Sequence, residues 1–187
     1  MHPVVFLIVA VLAAGCTTQV DGTPAPTAPT GIVLPPRPRE VRLDGVDPCS
    51  LLTAEQRGEL GLSSEPRPNQ SHVGLFRGDV PSCTLRGPYP AVVLLNVGVV
   101  TTVGVERWRE GDIAAQVHPT AVADFPAIIA VPSRFTDYCS VDVDVAPGQL
   151  LDVQFGAGGS QTPIPQDELC RQAARAAELM MMTLLMR

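Results

Sequence analysis

The sequence predicts an α+β domain: an antiparallel sheet of about four to five strands, with N- and C-terminal helices packed on one face and two disulfides. Three observations carry that prediction. Residues 138–145 read Tyr-Cys-Ser-Val-Asp-Val-Asp-Val, the apolar–polar alternation of a half-buried strand. Leu169, Ala173, Ala176, Met180 and Leu184 recur at the three-to-four spacing of one buried helical stripe. Cys49, Cys83, Cys139 and Cys170 form an even set in the same part of the chain.

The length, 187 residues, suits one domain or at most two. The net charge is −6, which argues against a nucleic-acid partner, because such a protein presents a clustered basic face. All 13 cationic residues are Arg. Without Lys there is no Schiff-base chemistry and no Walker lysine. No stretch approaches the ~20 apolar residues of a spanning helix.

The first 46 residues read as address and tether. Residues 4–14 are eleven apolar residues, the length of a signal-peptide core. Leu12-Ala13-Ala14-Gly15-Cys16 follows and resembles a bacterial lipobox, which implies cleavage after residue 15 and a diacylglycerol on Cys16. Residues 16–46 then hold six prolines and five threonines. Proline lacks an amide donor and favours extended geometry, so this stretch reads as a disordered, semi-stiff spacer. An unmodified spacer and an O-glycosylated one are both open. The folded domain is expected over residues 47–187.

Its elements follow in order. Asp47 and Pro48 suit a helix start, Thr53 with Gln56 can renew the cap, and Gly61 is placed to stop the helix. Residues 83–85 are strand-like, and residues 91–100 are apolar on both faces, as in a central strand. Residues 106–110 read as a short helix and residues 127–131 as a further strand. Residues 141–145 and 151–155 flank Ala-Pro-Gly-Gln and read as a hairpin. Keeping Val141, Val143 and Val145 on one face with Leu151, Val153 and Phe155 requires a connection of odd length. Residues 156–160 read as a flexible connector. Pro165 and Asp167 mark the start of the last helix.

Four cysteines allow three pairings. Cys49 and Cys170 both fall in first turns of helices, and Cys83 and Cys139 both fall on strands. The expected bridges are therefore Cys49–Cys170 and Cys83–Cys139. The spacings of 34, 56 and 31 residues lack the close pairs of a zinc site, so no metal or cofactor is expected.

Beyond the lipobox and tether, Asp47-Pro48-Cys49-Ser50-Leu51-Leu52-Thr53 resembles an actinobacterial lipoprotein family catalogued as a domain of unknown function. The resemblance includes Cys139 in a strand before Gly148-Gln149-Leu150, and Cys170 opening an Ala-rich last helix. It covers residues 47–185 and implies an envelope-facing lipoprotein with no assigned reaction. The plan is also similar to extracellular sensor domains of actinobacterial receptor kinases. That likeness is of fold and carries no function by itself.

Candidates for chemistry are few. His72 and His118 stand in loop-like text without a spaced partner. Asp142, Asp144 and Asp152 could share one face as an acid–base or Ca²⁺ set, but alternation alone already explains them as the polar side of a half-exposed strand. Met180, Met181, Met182 and Met186 could line an adaptable surface or fill a core. Trp108, between Arg107 and Arg109, could anchor a partner or pack on the sheet. No G-x-S-x-G elbow is present. The expected function is a lipid-anchored binding or interaction module on the extracytoplasmic face of the cell membrane, not an enzyme. Its partner would be an envelope protein. The alternative is a carrier for an apolar envelope molecule, and the third reading is an enzyme using Asp142, Asp144 and His118.

Overall fold

A computed structural model describes residues 32–71, 76, 78–90, 92–110 and 113–187. The chain divides into two units, Met1–Thr30 and Gly31–Arg187. The expected signal peptide, the expected lipidation site Cys16, the part of the expected tether up to residue 31, and His72 lie outside the described residues.

The strands are β1 (Arg67–Ser71), β2 (Val80–Arg86), β3 (Val93–Val100), β4 (Ala115–Val122), β5 (Phe125–Pro132), β6 (Tyr138–Ala146) and β7 (Gln149–Ala157). They form one sheet in the order β1-β2-β3-β7-β6-β5-β4. All of its pairings are antiparallel. Two hairpin meanders, β1–β3 and β4–β7, meet where β3 pairs β7. The sheet thus has seven strands, not four to five. The strands not foreseen are the two edges. β1 reads Arg-Pro-Asn-Gln-Ser, with no apolar alternation, and β4 carries Pro119 and buries little before Val122. An edge strand needs neither a buried face nor a complete ladder, and proline there protects the edge from further pairing.

The C-terminal helix, α2 (Gln166–Leu185), covers one face. Its stripe of Leu169, Ala173, Ala176, Met180 and Leu184 is buried as expected, widened by Ala177, Leu179 and Met181. It packs on Cys139, Val141 and Val143 of β6 and on Leu151, Val153 and Phe155 of β7. Three small alanines in the stripe let the helix approach the sheet closely.

The expected N-terminal helix is not a packed layer. Asp47 caps as predicted, accepting from the Cys49 amide, but only a 3-10 turn, Pro48–Ser50, follows. Thr53 and Gln56 form their capping box on a six-residue helix, α1 (Ala54–Glu59), none of whose residues is buried. Between the pieces, Leu51 and Leu52 turn inward to the core. The two starts read in the sequence are both real. Each serves its own short element, because burying Leu51 and Leu52 breaks the run between them.

The disulfide pairing also differs: the bonds are Cys49–Cys83 and Cys139–Cys170. The sheet order decides this. Cys83 on β2 and Cys139 on β6 are separated by β3 and β7. Three strand spacings come to about 14 Å, beyond the ~4.4–6.8 Å between Cα atoms that a disulfide spans. Each strand cysteine instead bonds to the segment lying on it, with Cα–Cα distances of 5.0 Å in both bridges.

The hairpin solves its parity problem with a bulge. Only Pro147 and Gly148 connect β6 to β7, an even number. The register shifts by one residue between Asp144 and Ala146, so Val141 faces Val153 and Val143 faces Leu151. Gly148 supplies the left-handed turn residue at φ +67°.

Residues 32–46 fall in the stretch that the prolines assign to the tether. In the structure they run along the folded unit. Ile32 and Leu34 pack on the far face of the sheet, with Trp108, Ile128 and Ala130. The Arg37 guanidinium donates to both carboxylate oxygens of Asp144 at 2.6 Å. The Val41 amide donates to the Val145 carbonyl, and the amide of the buried Leu43 donates to Gln149 Oε1. Proline allows this path because an extended strap needs few donors.

Gly87, just after β2, holds the β2–β3 loop against the end of α1. A Cβ there would stand 2.7 Å from the Gly61 carbonyl and 2.7 Å from Val93 Cγ2. Gly87→Ala is expected to cost about 1–3 kcal/mol by overpacking. Urea denaturation checks this; an unchanged midpoint would mean that the loop yields freely.

Candidate functional site

Asp142, Asp144 and Asp152 do share one face, but it is not the exposed face that alternation implied. Asp142 is 0% exposed, Asp152 3% and Asp144 8%. The expectation fails because the face opposite α2 is roofed. The 3-10 helix Val105–Arg109 lies over it, and residues 32–37 add a further layer. The short helix expected at residues 106–110 is this 3-10 helix. Trp108 points down from it, 7% exposed, and packs on the sheet.

Asp142 and Asp152 are direct partners across β6 and β7. Trp108 Nε1 donates to Asp142 Oδ2 at 2.5 Å, and Gln154 Nε2 donates to Asp152 Oδ2 at 2.9 Å. The Oδ1 atom of each aspartate has no donor among the described residues. A proton on one carboxyl turns it into a donor, which an ionised pair of carboxylates lacks. Burial raises the Asp142 pKa well above its usual range, and the neighbouring Asp152 charge and hydrogen bond raise it further; Trp108 opposes this. Burial likewise pushes Asp152 up to about 6, against the lowering bonds from Asp142 and Gln154. Two dry carboxyls in contact cannot both ionise cheaply, so they divide the work, one holding the proton and one the charge. Beside them Gly98 leaves room: a Cβ there would be 3.4 Å from Asp152 Oδ2. The Ser82 hydroxyl, across Gly98 in the same row, is buried without a partner among the described residues.

Asp144 sits two residues along, where burial raises its pKa and Arg37 opposes the rise. His118 is not near this group. It lies in β4, not in a loop, opposite Ile129 and exposed, on the α2 side of the sheet. The structure therefore does not bring Asp142, Asp144 and His118 together. Among the described residues no group of three or more His, Cys, Asp or Glu is placed to hold a metal ion. The methionines split: Met180 and Met181 are core, whereas Met182 and Met186 are 50% and 76% exposed. None of the described helices is long and apolar enough to cross a membrane.

Two open clefts flank the first half of α2. One, of about 520 Å³, has Leu60, Val93, Phe155 and Ile164 as an apolar lining and Tyr89 at its side. Tyr89 is 71% exposed. Its acidic rim is braced by Glu59 with Arg175, and by Glu168 with Arg171 and Gln172. The second, of about 590 Å³, lies between α2 and β5, lined by Ile129, Val131, Cys170 and Ala174, with His118 and Arg171 at the side. Neither was legible in the sequence. Their residues come from separate segments that only the sheet assembles, and the one local cue was an aromatic held between Pro88 and Pro90.

Neither a curated protein nor a solved structure matches the chain. A family profile described as "Protein of unknown function (DUF3558)" matches residues 11–183, in keeping with the resemblance to an unknown-function family, and the chain belongs to that family.

Proposed function

We propose that this protein is a lipid-anchored, extracytoplasmic binding module that takes the apolar part of a small ligand in the cleft beside Tyr89. The observation that carries the reading is that cleft: about 520 Å³, floored by Val93 and Phe155 and open to solvent. Small-molecule sites commonly occupy ~300–1,000 Å³ with mostly apolar walls. Its floor belongs to the sheet core, so the site is rigid. The exposed Tyr89 offers ring area at low entropic cost. Export is supported by two disulfides, which persist in oxidising compartments. The anchor rests on Cys16 and the apolar run before it. Each buried acyl CH₂ contributes about 0.8 kcal/mol, so a diacylated cysteine holds stably. Binding is favoured over catalysis because Asp142 and Asp144 are roofed and His118 is on the other face.

Two measurements test the reading. Cys16→Ser is expected to move the full chain from the membrane fraction to the soluble one; retention in the membrane would overturn the anchor. Titration with a neutral naphthylamine dye should show saturable binding. Tyr89→Ala or Gln172→Trp should weaken it about tenfold, equivalent to ~1.4 kcal/mol, while His118→Ala leaves it unchanged. Wild-type affinity in both cleft variants would remove the cleft.

A further inference from the structure

The Asp142–Asp152 pair has no part in that cleft, which lies on the opposite face of the sheet. Its burial depends on a cover borrowed from elsewhere in the chain. Trp108, the single tryptophan, is bonded to Asp142. Ile32 and Leu34 of the strap pack in the cluster that contains Trp108. Arg109 Nε donates to the Ile32 carbonyl at 3.0 Å, and Arg37 clasps Asp144. The roof is therefore one 3-10 turn and one proline-rich segment, held by a few apolar contacts and these bonds.

We propose that the 3-10 helix Val105–Arg109 and the strap of residues 32–37 form a proton-controlled latch, which mild acid closes over Asp142 and Asp152 and rising pH loosens. The physical reason is linkage. Closed, the dry pair retains a proton to higher pH; open, water solvates the carboxyls and they ionise as ordinary ones. The state that binds more protons gains as pH falls. The other charged and titratable groups about the pair are Asp144 on β6, Tyr138 at the start of β6, and Glu106, Arg107, Arg109 and Glu110 on the 3-10 helix. Arg37 faces it from the strap. The row on β2 and β3 adds only Ser82 and Gly98, and β5 adds Ile128 and Ala130. Of these, Asp144 works in the same sense, because burial raises its pKa and Arg37 only partly opposes the rise. Closure is therefore tighter in acid than at neutral pH. With the anchor proposed above, a loosened strap would lengthen the tether by about 3 Å per freed residue; the latch itself does not depend on the anchor.

Trp108 is a built-in reporter. On the full chain in detergent, the acrylamide quenching constant of Trp108 is expected to rise at least threefold between pH 5 and pH 8. The far-UV circular dichroism should stay constant across the same range. Hydrogen exchange at residues 32–46, corrected for its intrinsic pH dependence, should rise in parallel. Ile32→Asp, which detaches the strap, should give high quenching at both pH values. Asp142→Asn/Asp152→Asn should flatten the profile. A flat wild-type profile overturns the latch, and that measurement needs no variant. So does a rise that survives in the double variant, or one accompanied by loss of the dichroism.

Discussion

Cys139→Ser/Cys170→Ser is expected to lower the stability of the folded unit by about 4 kcal/mol, the entropy of closing a loop of this length in the unfolded chain. The bridge closes a 31-residue separation and joins β6 to the first turns of α2. Cys139 is fully buried, and the helix it secures is the main cover over β6 and β7. The rest of the α2 contact is apolar and partly built of alanines, which bury little area each. Cys49→Ser/Cys83→Ser opens a similar separation of 34 residues and should cost about the same in urea denaturation. Hydrogen exchange separates the two. Exchange in α2 should accelerate only in the first variant, because Cys49–Cys83 ties the 3-10 turn Pro48–Ser50 to β2 instead. A loss below ~1 kcal/mol in the first variant would show that α2 docks without its bridge. Peptide mapping of the oxidised protein should recover Cys49 with Cys83, and Cys139 with Cys170.

Stability should fall as pH rises from about 4 to 8, the reverse of a protein held by ionised surface carboxylates. Asp152 ionises near its usual 3.8 when unfolded and at about 6 when folded. The folded state thus holds the extra proton in that window, and about 3 kcal/mol is lost across it. Asp142, raised well above its usual value by burial and by the neighbouring Asp152, adds to the decline in the same sense. Asp44, Asp167 and Glu168 act the other way. Hydrogen bonds from Gln149, Arg171 and Gln172, respectively, are the first causes that lower their pKa values. Their contribution is lost as pH falls through those lowered values, and being exposed they shape only the acid limb. The maximum therefore lies in weak acid. Asp152→Asn should be more stable than wild type at pH 8, with a flatter profile, in thermal denaturation across the range. Parallel wild-type and variant curves would mean that the two carboxyls do not share a proton.

Much of this fold is legible locally. The α2 stripe, the β6–β7 hairpin, the central strand β3 and the caps at Asp47 and Thr53 each depend on residues within a few positions of one another. Periodicity and capping therefore report them directly. Parity predicts a connection of odd length; the structure instead keeps a two-residue turn and places the extra residue in β6, as a bulge at Val145. The edge strands escaped because a strand with one neighbour and a solvated side has no obligatory pattern.

By itself the sequence determined an antiparallel sheet with a C-terminal helix on one face and the presence of two disulfides. Tertiary structure alone decided which cysteines bond, because strand order sets their distances and alternation is blind to order. It decided that Asp142 and Asp152 are buried, because alternation tells which residues share a face and not what lies over it. Their roof comes from Trp108 and from Ile32 and Leu34, far from both in sequence. It also decided that residues 32–46 lie along the sheet as a strap. A proline-rich segment carries no pattern of its own, and its order is lent by the sheet on which it lies.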